Sequence, residues 1–176
     1  MLSNVYKKLM FLEDSLIERL GNALNLLMIA LVCVVIVVVV GRYVFEIGSV
    51  ALQELTTYLH ATIFMLGISY TLKHDGHVRV DMFYRNFSKR SQALINVIGG
   101  LVFIFPISVF IGWSSWDYVL ASWSIMETSI ENNGLPFVYL LKTVMLIMPF
   151  LLVIQGLITV TKNLLALYGS SLTSEE

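Results

Sequence analysis

Few residues in this 176-residue chain have the type and spacing for chemistry, and those few point to structure rather than catalysis. The segment His74-Asp75-Gly76-His77-Val78-Arg79-Val80-Asp81 gathers two histidines and two carboxylates, but the spacing matches no standard zinc pattern. It reads as a polar elbow at a membrane interface, with Val78, Val80 and Phe83 dipping toward lipid or a partner. His60 falls inside an apolar run. A haem would need a second histidine at similar depth on a facing helix, and His74 and His77 both lie in the polar elbow. His60 is therefore expected to pack toward neighbouring helices. Lys142 follows Pro136 by about 9 Å of helix, and either snorkels outward or pairs with Glu127 or Glu131. Arg42 and Glu54 flank a short connection and are expected to pair at its tip. Such pairs fix helix positions, because removing one partner strands the other charge. The sequence holds no nucleophile-base-acid set, phosphate loop or Cys/His cluster. No enzymatic activity, cofactor or metal is expected, and the lone Cys33 reads as an inert apolar thiol.

The elements that carry these residues are apolar. Hydrophobic residues make up 57% of the chain and mean hydropathy is +0.82, far above a soluble domain. A net charge of −1 argues against nucleic acid as a partner. Four segments, 22–45, 50–72, 91–118 and 136–167, each exceed the ~20 residues that cross a ~30 Å hydrocarbon core. The β-branched centre of the first, from Val32 to Val40, would favour a strand in water. A lone span in lipid must satisfy its own backbone, so helix wins. This first segment runs longer than the about 7–15 residues of a signal-peptide core and lacks a small-residue cleavage site, so it is expected to be retained.

Residues 3–20 place Val5, Leu9, Leu12, Leu16 and Leu20 at helical spacing among charges, the pattern of an amphipathic helix on the interface or on a partner. Pro106 and Pro149 are expected to bend the third and fourth spans, and Pro136 suits a first helical turn. Trp113, Trp116, Tyr118 and Trp123 cluster as an interfacial belt. Residues 121–135 are too polar to span, and are expected to form a short interfacial helix and a turn at Asn133-Gly134. Lysine and arginine crowd the N-terminal flank, the second connection and the end of the last span, whereas the first connection offers only Arg42. That asymmetry puts both termini in the cytoplasm. The expected architecture is an all-α integral membrane protein, one domain over residues 1–176 with four transmembrane helices. An autonomous pump or exporter places a carboxylate at mid-membrane, and this chain has none there.

One combination of motifs is specific. Gln53-Glu54-Leu55, Gly67, Tyr70, Leu72-Lys73 and His77-Val78-Arg79-Val80-Asp81 with Tyr84 resemble the small membrane subunit of tripartite ATP-independent periplasmic (TRAP) transporters. Ser122-Trp123, Glu127, Ser129, Gly134-Leu135-Pro136, Lys142 and Gln155-Gly156 continue the likeness, which covers about residues 40–160. Many members carry tryptophan just before the Glu-Leu element, where this chain has Val50-Ala51-Leu52. The resemblance implies a bacterial inner-membrane system of three parts. A periplasmic protein captures an organic anion, usually a carboxylate, and docks transiently. A large membrane subunit moves the anion inward with sodium and holds both sites. The small subunit packs on the large one as static scaffold. Arg42, Glu54, Gly67, His77, Arg79, Asp81, Trp123, Glu127, Pro136 and Lys142 are the expected structural or interface positions, and none is assigned to substrate. A membrane anchor for a quinone-linked redox enzyme is the alternative, and it would call for paired histidines.

Overall fold

The computed structural model describes the backbone of residues 2–74 and 87–172, and side chains over 15–74 and 87–167. All regular structure among these residues is helical: α1 (Leu2–Val44), α2 (Val50–Lys73), α3 (Lys89–Gly99), a π-helical turn (Gly100–Ile104), α4 (Phe105–Ser124) and α5 (Val138–Leu172). Three stretches are long and apolar enough to cross a membrane: Ser15–Val44, Lys89–Ser124 and Val138–Leu167. Gln53, Glu54, His60 and four threonines make the 24-residue α2 less apolar than these.

Three expectations need correction. The amphipathic segment 3–20 and the first span are one unbroken helix, because no proline intervenes and Gly21 and Asn22, residues of capping type, both stay helical. The side chains that would make its first turns amphipathic, Val5 to Leu12, lie outside the described ones. No interfacial helix forms after the third span. Residues 121–124 simply extend α4, and residues 125–137 run through turns in which Met126 and Asn133 take left-handed φ of 47° and 64°. The last helix begins at Val138, so Pro136 stands in the bend ahead of it rather than in its first turn.

Pro106 acts as a proline should. It lacks the N–H that would bond back to Val102 and crowds the turn before it. The helix answers by widening, with Phe105 N–H bonding the carbonyl of Gly100, a five-residue π step. Gly100 is needed at this turn, because a Cβ there would stand 2.5 Å from Val160 on α5.

Helix α5 is the axis of the bundle and packs against every other helix, with α1 and α2 forming one hairpin and α4 and α5 another. The face that α4 turns to α5 is built of small residues: Ser108, Ser115, Val119 and Ser122 are all at most 5% exposed. Small side chains let helices approach closely where lipid removes the hydrophobic drive for association. Ser108 satisfies its own hydroxyl by donating to the carbonyl of Ile104 at 2.7 Å. Helix α1 is the opposite case. Only 6% of its most apolar stretch is buried, so lipid or another protein must cover the rest.

Candidate functional site: polar clamps at the two ends of the bundle

The α1–α2 connection, the α4–α5 connection and the ends of α2, α4 and α5 meet at one end of the bundle. Local signals start the assembly. Glu46 takes a left-handed φ of 57°, Ile47 N–H caps the carbonyl of Gly41 at 2.8 Å, and Ser49 caps α2 by accepting from Leu52 N–H. One turn into α2, Glu54 is half-buried and reaches the second connection. Its Oε1 accepts from the Ser129 hydroxyl and its Oε2 accepts from Leu135 N–H at 2.6 Å. Ser129 holds the loop from within, as its N–H donates to the carbonyl of Leu135 at 3.1 Å and its hydroxyl accepts from Glu131 N–H at 3.0 Å. Gly134 closes over this knot. A Cβ there would stand 2.5 Å from that of Ser129 and 2.8 Å from Glu54 Oε1, so the loop needs glycine for close approach.

Lys142, one turn into α5, donates to Glu127 Oε2 and stands 3.9 Å above the centre of the Tyr118 ring. Its side chain is 14% exposed and that of Glu127 28%, so the pair is largely withdrawn from water. The ammonium beside it, with Ser122, holds the Glu127 carboxyl below the ordinary carboxylate value despite the opposing effect of burial. Trp123 completes the arrangement. Its indole N–H donates to the Thr143 hydroxyl at 2.8 Å, and its ring meets Tyr139 edge-on at 4.8 Å.

The opposite end has its own ties. Lys73 on α2 donates to Glu18 on α1 at 2.8 Å, and His74 Nε2 lies 3.1 Å from the same oxygen. Asn96 on α3 donates to Asn163 on α5 at 3.2 Å.

The structure thus brings Glu54, Trp123, Glu127 and Lys142 into one region, with Pro136 in the adjoining bend. Arg42 is not part of it. Among the described residues it forms no pair with Glu54, because both carboxylate oxygens serve the second connection and Arg42 is exposed in the last turn of α1. Gly67 has ordinary space around it, its nearest neighbour being Leu24 at 3.9 Å from a would-be Cβ. His77, Arg79 and Asp81 lie outside the described residues. His60 does not pack toward neighbouring helices: it is exposed on α2 and stacks on Phe64, ring centres 6.3 Å apart.

Charge pairing in the sequence overlooked Tyr118, Tyr139 and Thr143, whose spacing from Trp123 and Lys142 carries no signal until α4 and α5 are antiparallel. It also overlooked the Glu18–Lys73 tie. Chemically, these clamps hold helices and loops in place. The described residues contain no group of three or more His, Cys, Asp or Glu side chains arranged to hold a metal.

The sequence matches a family described as tripartite ATP-independent periplasmic transporters, DctQ component, over residues 31–165. No curated protein sequence matches the chain. The matched region spans α2, the whole Glu54–Lys142 clamp and nearly all of the last apolar stretch. The chain belongs to the DctQ family, the small membrane component of TRAP transporters.

Proposed function

As a member of that family, the chain is, we propose, a non-catalytic small permease subunit whose four membrane spans serve as fixed scaffold for a large membrane subunit. That large subunit carries an organic anion, most often a carboxylate, inward with sodium after a periplasmic binding protein delivers it. The carrying observation is where polarity sits. The Glu54–Ser129–Leu135 and Lys142–Glu127 contacts tie helix ends and loops together, while the interior face of α4 is lined by serines and valine rather than ionisable groups. A solute pathway needs polar groups aimed at a passage. Here the ionisable groups Glu54, Glu127 and Lys142 tie elements together, which suits a part that must not move.

In this reading α2 is the remaining span, bringing the count to four, and both termini face the cytoplasm of a bacterial inner membrane. Its 24 residues cover about 36 Å, enough to cross, and its polar residues are carried by neighbours and by the partner subunit. Lysine and arginine on the N-terminal flank and in the second connection set the orientation. The Glu54 end then faces the periplasm, where the binding protein docks.

Co-expression tests the reading. The chain should co-purify with a large TRAP subunit encoded beside it, and deleting the chain should abolish uptake while the large subunit is still made. Uptake that survives the deletion undiminished contradicts it.

A further inference from the structure

The outward face of α2 differs in kind from the outward faces of the other helices. Gln53, Thr57, His60 and Phe64 are all exposed, and steps of four, three and four residues set them in one line along the helix. Over the middle of the other spans the exposed side chains suit hydrocarbon: Ile29 and Ile36 on α1, Phe110 on α4, Phe150 and Leu157 on α5. On α2 the one large apolar side chain among the exposed is Phe64, 67% exposed. The residues that make α2 less apolar than the other spans therefore include those on its outer surface, where they stay exposed among the described residues.

His60 is the centre of the line. It stands ten residues into a helix of 24, about 15 Å from its start and so near mid-depth if α2 spans the bilayer. Stacking on Phe64, with ring planes 16° apart, orients the imidazole without satisfying it. Among the described residues neither ring nitrogen has a hydrogen-bond partner. A neutral imidazole presents one donor and one acceptor, and acyl chains answer neither. Thr57 satisfies its own hydroxyl, at 3.4 Å to the Gln53 carbonyl, whereas the Gln53 amide lies one turn further toward the Glu54 end.

We propose that this line is where a membrane-spanning helix of the large subunit docks, with a hydrogen-bonding side chain set against His60 and an apolar surface against Phe64. The proposal rests on the small-subunit reading above. It commits to that occupant because the line demands complementary hydrogen-bonding groups in hydrocarbon. Lipid has none, and the family to which the chain belongs works beside a second integral membrane protein. The apolar faces of α1 and α4 are left to lipid.

Site-specific crosslinking in membranes containing the assembled transporter tests this. Single cysteines replace Thr57 or His60, and Phe110 on α4 or Ile36 on α1 as controls, all in a Cys33→Ser background, and each is labelled with a thiol-directed photocrosslinker. Thr57→Cys and His60→Cys should give adducts with the large subunit, and the controls should not. In parallel, His60→Leu, which suits lipid and leaves the fold of this chain intact, should lower recovery of the large subunit about three- to five-fold, with His60→Asn restoring part of it. Adducts from the α1 or α4 positions alone, adducts from α2 to a second copy of this chain, or wild-type recovery with His60→Leu each overturn the proposal. If the unsubstituted chain retains no large subunit, the small-subunit reading itself has failed, a result distinct from these.

Discussion

Glu54 accepts the backbone N–H of Leu135 at 2.6 Å across 81 residues of chain, so a side chain on α2 stands where a loop would otherwise need water. The second carboxylate oxygen takes the Ser129 hydroxyl, and between them the two bonds fix the path of the chain from α4 into α5. A half-buried N–H deprived of its acceptor costs about 1–3 kcal/mol. Glu54→Ala should therefore lower stability in detergent by about that amount, read as a drop in melting temperature. Glu54→Gln keeps one acceptor and should lose less. Equal melting of Glu54→Ala and the wild type contradicts the assignment.

Gly134 and Glu54 are predicted to be coupled. An alanine Cβ at 134 would press on Ser129 and Glu54 Oε1, so Gly134→Ala alone should destabilise by about 1–3 kcal/mol. Once the Glu54 side chain is removed, part of that clash disappears. The double variant Glu54→Ala/Gly134→Ala should then lose less than the sum of its parts. Strict additivity in a thermal-unfolding cycle counts against the contact.

The Lys142–Glu127 pair gives a pH signature. Lys142 and Ser122 hold the folded Glu127 carboxyl below its ordinary value of 4.5. A group with a depressed folded value contributes stability above its unfolded value and loses it as pH falls through the folded one. The melting advantage of wild type over Glu127→Gln should thus be full near neutrality, shrink as pH drops below 4.5, and vanish at lower pH. A gap independent of pH removes the ion pair as its source.

The serine face of α4 should resist enlargement. Ser115 is 5% exposed against α5, and Ser115→Leu adds a branched pair of methyl groups to a close helix contact. Overpacking of this kind costs about 1–3 kcal/mol, visible as a lower melting temperature. Ser114→Leu, one residue along on the exposed side, is the control and should be neutral.

What the sequence revealed follows from what pattern can encode. Apolar length located three of the expected spans, 22–45, 91–118 and 136–167, which overlap the apolar stretches Ser15–Val44, Lys89–Ser124 and Val138–Leu167, because a span is a local property. Pro106 announced a distortion, and the π turn supplies it. Spacing leaves Lys142 either to snorkel outward or to pair with Glu127 or Glu131, and it pairs with Glu127. Arg42 was matched to Glu54 because both carry charge beside one connection, yet the carboxylate prefers a backbone N–H and a hydroxyl, which charge pairing cannot see. The interfacial helix failed for a similar reason. Polarity marks residues 125–137 as non-spanning, but Ser129 and Gly134 bind the loop into turns. Polar groups in membranes ordinarily face the bundle, which points His60 inward, yet it is exposed on α2. Which face of α2 meets its neighbours depends on the packing of α1 and α5, and periodicity does not report it.

Uptake by purified components in sealed vesicles tests the central claim most directly. Vesicles holding this chain alone, under an inward sodium gradient and with loaded binding protein outside, should accumulate no organic anion, while vesicles that also contain the large subunit should. Sodium-driven accumulation by this chain alone contradicts the account.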